Sequence, residues 1–254
     1  MSNVVIIIPA RMASTRFPGK VLADKTGKPL IQHVFEAASR AKCSRRVVIA
    51  TDDARVEAAA KRFGAESVMT RADHPNGTSR LAEAAAKLGL GAETIVVNAQ
   101  GDEPELDATL IDSAVEVLEK TKAPVSTVAT PFREGERAED PNIVKVVVRG
   151  DGTAMYFSRA MIPFPRDGAS HVKPLKHVGL YVYRRGFLDR YSSLMVTELE
   201  KTEQLEQLRI LYHGFAIAVA VRETSGFGGV DTPEQYEEFV RRHGGTKARR
   251  HEGG

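Results

Sequence analysis

A chain of 254 residues, 42% of them hydrophobic and 27% charged, is long enough to bury a full core and has the composition of an ordinary globular protein. The longest apolar runs are far shorter than the roughly 20 residues that a membrane-spanning helix needs. The single cysteine, Cys43, excludes an internal disulfide and a thiolate metal cluster, and a net charge of +3 is too weak to indicate nucleic-acid binding.

The two ends of the chain contribute little to a prediction of function. The amino terminus begins a strand almost at once, without the segments of a signal peptide, so we expect a cytoplasmic protein. Residues 243–254 are basic and glycine-rich, and we expect a flexible tail there.

The first predicted element is a strand over residues 4–8, an apolar run without the polar alternation of a half-exposed strand, as in a parallel sheet covered on both faces. The loop after it contains Arg11, Arg16 and Lys20, and Pro18-Gly19 forms a turn before the lysine. Ligands of open α/β sheets bind at the carboxyl ends of strands. Arginine forks beside a lysine point charge suit a polyphosphate, whereas the alternative is a merely solvated basic loop.

A repeated strand and helix pattern follows this loop. Apolar residues at helical spacing predict a helix over 30–41, and strands are predicted at 46–50 and 66–70 with a helix through Arg62 between them. Strand, helix and strand of these lengths form a right-handed βαβ unit. The sequence therefore predicts a sheet that is wound in the parallel manner.

The segment RADHPNGTSRLAEAA after the third strand predicts a turn followed by a helix. Gly77 would let backbone amides approach an anion at the helix start, and Arg80 on the first turn would point towards the same ligand. The alternative is an ordinary loop with Asn76 or Thr78 as the helix cap.

A fourth apolar strand, residues 94–98, leads to Ala99-Gln100-Gly101-Asp102-Glu103-Pro104. A carboxylate at the tip of a central strand is placed to bind a divalent cation near the basic loop, so Asp102 is the strongest metal candidate. Glu103 alternates to the other side of the chain and is expected to serve structure. A helix over 107–121 and a strand over 124–130 continue the α/β pattern.

The pattern changes after about residue 131. Strands at 143–148, 155–158 and 175–183 predict antiparallel additions that build a lid or a dimer surface. A helix is predicted over 198–212, and a strand over 215–221 leads to Asp231, which could cap the last helix. We expect one domain, residues 1–242, in which about 131–215 is an inserted part.

Polar residues of this second part include Arg159 just past a strand end, and His177 and Tyr181 on one face of a strand. An isolated histidine on such a strand is more often structural. The helix over 198–212 presents Glu206 and Gln207 among its polar positions.

Four motifs, PARMASTRFPGK, TRADHPNGT, NAQGDEP and GGVDTPE, resemble those of the cytidylyltransferases that activate acidic sugars with CTP. The resemblance runs from about residue 3 to about residue 241. It implies a Rossmann-like, GT-A-like nucleotidyltransferase fold: an α/β three-layer αβα sandwich with a mixed, mostly parallel sheet and an antiparallel dimerisation or lid extension. Pro75 and Ser79 depart from the family's pattern, so the contacts around them are left open.

The resemblance also implies roles for individual residues. The residues expected to bind the nucleotide are Arg11, Arg16, Lys20, Arg71, Asn76, Gly77, Arg80 and Gln100. Those expected to act in catalysis are Arg11, Arg16, Lys20 and Asp102, and Asp102 and Asp231 are expected to hold Mg²⁺. Those expected to bind the sugar are Arg159, His177, Tyr181, Glu206 and Gln207, with Arg159 balancing the sugar carboxylate.

The reaction implied is transfer of the cytidylyl group of CTP to 3-deoxy-D-manno-octulosonate (Kdo), for lipopolysaccharide biosynthesis, by a homodimer. The alternative substrates are 8-amino-Kdo and a sialic acid. A different class is a regulatory nucleotide-binding protein, although two candidate metal ligands argue against a pure binder. A dehydrogenase that binds NAD is disfavoured because the first loop lacks GxGxxG.

Overall fold

The structure is a computed structural model that describes residues 3–14, 16–74, 76–168, 172–224 and 229–244. Its strands, in chain order, are β1 (Val4–Ala10), β2 (Arg46–Thr51), β3 (Glu66–Met69), β4 (Ile95–Asn98), β5 (Val125–Pro131), β6 (Lys145–Val148), β7 (Ala154–Ser158), β8 (Leu175–Arg184) and β9 (Ile217–Val221). Its helices are α1 (Leu30–Ala38), α2 (Ala54–Arg62), α3 (Gly77–Lys87), α4 (Ala108–Lys120), α5 (Arg185–Ser193), α6 (Glu198–Glu203), α7 (Gln207–Tyr212) and α8 (Pro233–His243), with a 3₁₀ turn at Lys20–Leu22.

The chain divides into two compact units made of interleaved segments. The first unit contains residues 5–89 and 99–108 and the carboxyl-terminal segment that includes 229–244. The second unit contains residues 90–98 and 109–224 together with the start of the chain. The single domain with an inserted part stays a prediction, and residues 245–254 of the expected flexible tail lie outside the described residues.

Parallel strands form the sheet of the first unit. β2 pairs with β1 on one side and with β3 on the other, both in parallel, so the three carboxyl ends lie at the same edge. The isoleucines of β1, Ile6, Ile7 and Ile8, are fully buried. An apolar run of this kind is stable only when both faces of the strand are covered, and the prediction of a buried parallel strand is confirmed.

The last helix is attached to this unit by an apolar cluster. Leu30 of α1 packs with Val230, Tyr236 and Phe239, and Phe17 of the basic loop lies against them. Burying each large side chain contributes about 1.5–3 kcal/mol relative to exposure. The cluster therefore fixes the segment before α8 beside the loop that follows β1.

The second unit contains the antiparallel strands. β8 pairs with β4 and with β5 in antiparallel fashion, whereas β9 pairs with β5 in parallel. β6 and β7 form the predicted hairpin, and β6 also pairs with β8. The predicted α/β class and mixed sheet with antiparallel additions are thus confirmed.

The helix predicted over 198–212 is wrong, because two helices occupy this stretch. α6 begins at the cap Thr197, whose side chain accepts the N–H of Glu200, and it ends at Gln204 in the left-handed conformation (φ 52°). A buried ion pair joins the two helices, with Arg209 Nε 2.7 Å from Glu200 Oε2. This pair requires a bend that helical periodicity alone does not reveal. Helix α5 was also missed.

Among the described residues, none of the helices combines the length and the apolar character required to cross a lipid bilayer.

Candidate active site

The basic loop after β1 folds back on itself before it reaches Lys20. The carbonyl of Met12 accepts the N–H groups of Ser14 and Gly19, both at 3.1 Å. Gly19 has a φ of 71°, and an added Cβ would lie 3.3 Å from the Met12 side chain. Glycine is favoured there because other residues rarely adopt a positive φ. The turn directs Lys20, which is only 8% exposed, back into the unit.

The ammonium of Lys20 lies between two carboxylates. Its Nζ donates to Asp102 Oδ2 at 2.7 Å, to Asp231 Oδ1 at 2.9 Å and to the Val230 carbonyl at 3.0 Å. The three acceptors come from two segments that are far apart in sequence. Asp102 and Asp231, the predicted metal ligands, are therefore held around one cation.

The turn after β4 places Asp102 against the end of β1. The N–H of Ala99 donates to the carbonyl of Ile7 at 3.1 Å. A Cβ on Gly101 would lie 2.5 Å from the Pro9 carbonyl oxygen, so only glycine permits this approach. The N–H of Val230 donates to the Asp102 carbonyl at 2.8 Å, which ties the turn to the segment before α8.

Asp231 is not the cap of α8, so that alternative interpretation is wrong. The cap is Thr232, whose side chain accepts the N–H of Gln235 in a capping box. The Gln235 side chain in turn accepts the N–H of Asp231 at 2.7 Å. The carboxylate of Asp231 is thereby left to face Lys20 and Arg16, whose guanidinium lies 2.9 Å from Asp231 Oδ2.

Most of the predicted nucleotide and metal ligands line one cleft in the first unit. Those that line it are Arg11, Arg16, Lys20, Asn76, Gly77, Arg80, Gln100, Asp102 and Asp231. Arg71 is not among the residues that line this cleft. It is exposed and pairs with Asp73 at 3.3 Å and with Glu83 at 3.6 Å. Its role in nucleotide binding stays a prediction.

The start of α3 contributes a second wall of the cleft. Asn76 is the cap, since its Oδ1 accepts the N–H of Ser79 at 2.8 Å. Arg80 is buried, and its guanidinium donates to Thr70 Oγ1 at 2.6 Å and to Asp52 Oδ2 at 2.7 Å. The guanidinium is thus held by its own unit while the residue lines the cleft.

His74 also lines the cleft, and the sequence did not single it out. Its Nδ1 lies 3.0 Å from Ser79 Oγ, and its Nε2 bonds to Glu83. Burial raises the pKa of Glu83, but hydrogen bonds from Lys87, His74 and the Arg71 N–H outweigh it and lower the pKa to about 2. The sequence feature that could have indicated it is a histidine within the predicted turn just before helix α3.

Glu103 adds a third carboxyl group close enough to Asp102 and Asp231 to interact with their charges. Burial raises its pKa to about 7, and the charges of Asp102 and Asp231 add to the increase. The Glu103 carboxyl group therefore interacts with the candidate metal ligands Asp102 and Asp231. The sequence had indicated only a structural role for it.

The set of oxygens around Lys20 fits a small divalent cation. Two carboxylates and a carbonyl already bind a cation, the ammonium, which marks the position as favourable for positive charge. In the part of the chain that the structure describes, no group of three or more His, Cys, Asp or Glu forms a metal site. Mg²⁺ is commonly bound by one or two carboxylates together with substrate phosphates, so this donor set suits Mg²⁺ bound with a nucleotide.

The predicted sugar ligands lie in the second unit. Arg159 Nε donates to the Glu203 carbonyl at 2.7 Å, and its Nη1 donates to the Pro141 carbonyl at 3.0 Å. The hydroxyl of Tyr191 lies 3.4 Å from Glu206 Oε2. Gln207 is buried. These contacts hold the side chains in place, and the sugar-binding roles stay predictions.

His177, which is half-buried, and the buried Tyr181 belong to one polar cluster. The ring centroids of His177 and Tyr181 are 5.3 Å apart, and His177 Nε2 lies 2.9 Å from Thr127 Oγ1. The buried hydroxyl of Tyr181 and Oδ1 of Asn98 have no hydrogen-bond partner within the described segments. Asn98 lies opposite Tyr181 in the β4–β8 pairing, and the sequence did not suggest it.

Burial lowers the pKa of His177 to about 3, so the folded protein holds a neutral imidazole there. Between that value and about 6.5, the unfolded chain binds a proton that the folded chain does not, and stability therefore rises with pH. We expect His177→Gln to flatten this dependence by up to about 1.4 kcal/mol per pH unit. Urea unfolding at several pH values from 4.5 to 7.5 measures it.

His213→Gln is the matched control for this experiment, since His213 belongs to the same unit and its Nε2 lies 3.1 Å from a backbone carbonyl. The slope of stability against pH is the readout, because loss of packing shifts every point equally. Equal slopes for wild type and His177→Gln contradict the prediction.

Comparison with known proteins gives a consistent result. A cytidylyltransferase family model matches residues 5–222. A 3-deoxy-manno-octulosonate cytidylyltransferase of Syntrophobacter fumaroxidans is 50% identical over 240 residues, covering 94% of this chain and 96% of the relative. The protein of that name from Aliivibrio fischeri is 47% identical, covering 92% of this chain and 96% of the relative. A solved structure of CMP:2-keto-3-deoxy-manno-octonic acid synthetase complexed with CTP has a TM-score of 0.88 and 42% identity, covering 95% of this chain and 98% of that one.

Proposed function

The chain belongs to the cytidylyltransferase family, and we propose that it transfers the cytidylyl group of CTP to Kdo, giving CMP-Kdo and pyrophosphate. The observation that supports this best is the placement of Asp102 and Asp231 around one cation in a cleft lined by Arg11 and Arg16. Relatives that bear the name of this activity match over more than nine-tenths of the chain.

The first unit binds the nucleotide in this proposal. Arg11 and Arg16 hold the triphosphate, because guanidinium groups bind phosphate oxygens in a planar fork. The amino end of α3, with Asn76 and Gly77, and Gln100 from the turn after β4 contact the nucleoside. All five residues line the same cleft.

The anomeric hydroxyl of Kdo attacks the α-phosphorus in line and gives its proton to solvent. A phosphorus–oxygen bond forms, and the bond between the α-phosphorus and the departing pyrophosphate breaks. Such reactions depend on positioning and on neutralising charge. Mg²⁺ held by Asp102 and Asp231 would supply charge neutralisation and would lower the pKa of the attacking hydroxyl. The arginines of the basic loop stabilise the negative charge that collects on the phosphate oxygens.

The second unit binds the sugar acid in this proposal. Arg159 balances the carboxylate, whereas Tyr181, Glu206 and Gln207 bond to hydroxyl groups. His177 is neutral and acts as a hydrogen-bond partner, not as a second positive charge, because burial lowers its pKa. The homodimer stays a prediction, which light scattering checks.

Pyrophosphate release tests the proposal. Purified protein with magnesium receives each pairing of CTP, UTP or ATP with Kdo, 8-amino-Kdo or N-acetylneuraminate. We expect release with CTP and Kdo. Release with CTP and another acidic sugar keeps the reaction but changes the acceptor. A folded protein that binds CTP and releases pyrophosphate with no pair contradicts the proposed function.

A further inference from the structure

The ammonium of Lys20 donates to the two carboxylates, Asp102 and Asp231, that are expected to hold a metal ion. An ammonium group has three protons, and the three oxygens around Nζ, from Asp102, Val230 and Asp231, accept all of them at 2.7–3.0 Å. In this arrangement all three ammonium protons are donated to protein oxygens, so none is left to bond to a phosphate. The role first expected for Lys20, binding the triphosphate, requires those bonds to break.

A divalent metal ion and this ammonium cannot share the two carboxylates. Mg²⁺ contacts its oxygen ligands at about 2.0–2.1 Å and demands near-ideal octahedral geometry. Nζ lies 2.7 Å from Asp102 Oδ2 and 2.9 Å from Asp231 Oδ1, so the ammonium uses one oxygen of each carboxylate that would hold the ion. Two cations bound to the same pair of carboxylates repel each other strongly. Binding of one therefore requires departure of the other.

All three residues line the cleft, but the carboxylates are more exposed than the lysine. The side chains of Asp102 and Asp231 are 31% and 34% exposed, and that of Lys20 is 10% exposed. Lysine is a compact charge on a flexible four-carbon stem, so its head group can move without backbone change. The site is thus open to an arriving ion and its present cation is able to leave.

We propose that Lys20 is an exchangeable internal cation. In the nucleotide-free protein it balances the charges of Asp102 and Asp231, together with Arg16 on Asp231, and keeps the two carboxylates together. When a metal ion arrives with the nucleotide, the ammonium leaves the carboxylates and moves to the phosphates. This inference rests on the proposed function for the identity of the nucleotide site. It predicts weak metal binding without nucleotide, because a free ion must compete with a covalently attached cation.

The alternative is a permanent strut, in which Lys20 keeps its three bonds throughout the reaction. A strut and an exchangeable cation predict opposite effects of removing the charge. Without the strut the carboxylates lose their position and metal binding weakens. Without the competing cation they bind a metal ion more tightly.

The test measures Mn²⁺ binding to the nucleotide-free protein by the loss of the free-ion EPR signal. We expect Lys20→Met to bind Mn²⁺ more tightly than wild type by about tenfold or more, since methionine keeps the unbranched stem of the side chain without its charged group. Lys25→Met is the matched control, because Lys25 is in the same unit with an exposed side chain that pairs with Glu237. We expect it to bind Mn²⁺ like wild type. Unchanged or weaker binding by Lys20→Met overturns the proposal.

A second measurement uses the wild-type protein and does not depend on the folding of that variant. The ¹⁵N ammonium resonance of Lys20, assigned by its absence from Lys20→Arg, should be slowly exchanging in the nucleotide-free protein because its three protons are bonded. We expect Mg²⁺ with a non-hydrolysable CTP analogue to shift it. A resonance that stays unchanged when the metal and the analogue are bound indicates a permanent strut and overturns the proposal.

The two tests fail independently of the pyrophosphate assay. If Lys20→Met binds Mn²⁺ more tightly but the wild-type protein releases pyrophosphate with no substrate pair, the cation exchange is supported and the proposed reaction is rejected. Pyrophosphate release from CTP and Kdo with weaker Mn²⁺ binding by Lys20→Met keeps the reaction and rejects the exchange.

Discussion

Asp102→Asn is expected to lower kcat by about 10³-fold, equivalent to about 4 kcal/mol of transition-state stabilisation, which is the size of effect that a metal ion at a reacting phosphate supplies. The asparagine keeps an oxygen that can accept from Lys20, which lies 2.7 Å from the carboxylate. The Asp102 carbonyl, which accepts the N–H of Val230, is unaffected. The variant should therefore fold while losing the charge that binds the metal. Steady-state kinetics and circular dichroism measure the two properties.

Asp24→Asn is the matched control for the charge change, since Asp24 is an exposed aspartate of the same unit and is not among the residues that line the cleft. It should leave kcat unchanged. A near-normal kcat for Asp102→Asn would contradict the assignment of Asp102 to the metal. Equal losses in both variants would show that the assay responds to net charge alone.

The sequence predicted most elements because their patterns are local. The apolar run of β1 and the cap and glycine at the start of α3 determine their own conformation, and the structure places them within one or two residues of prediction. The stretch 198–212 failed because its continuous helical pattern is interrupted by a tertiary interaction. Glu200 and Arg209 form their buried pair only across the turn at Gln204.

The candidate site was predicted as a set of residues but not as a set of contacts. Strand ends and turn motifs indicated Asp102 and the basic loop, because parallel strands bring their carboxyl ends to one edge. No sequence pattern shows that Lys20 pairs with Asp102 and Asp231 and not with a ligand. That choice follows from the turn at Gly19 and from the attachment of α8, both of which depend on packing.

The capping residue of α8 likewise could not be predicted from the local sequence. Asp231 and Thr232 are both good caps, and the sequence offers them in succession. The capping box of Thr232 with Gln235 decides between them, and it leaves the Asp231 carboxylate for the cleft. Because the helix is capped by the residue after Asp231, Asp231 is a candidate metal ligand and not a structural cap.

Gly101→Ala is expected to harm both stability and turnover. A Cβ at this position would lie 2.5 Å from the Pro9 carbonyl oxygen, 3.4 Å from the Pro9 carbonyl carbon and 3.6 Å from Ala10 Cα. These are backbone atoms at the end of the buried strand β1, so they cannot rotate away as a side chain could. The turn after β4 must move instead, at a cost of about 1–3 kcal/mol of unfolding free energy, typical of overpacking.

The same movement displaces Asp102, the next residue, and its bonds to Lys20 and Val230. We therefore expect kcat/KM for CTP to fall by about 10²-fold, as misplacement of about 1 Å can cause, even at temperatures where the variant is folded. Gly91→Ala is the matched control, because an added Cβ there meets nothing within 4 Å. Urea unfolding and kinetics on both variants separate the two effects. Wild-type stability and turnover for Gly101→Ala would show that the turn has room, and that the position of Asp102 does not depend on close contact with β1.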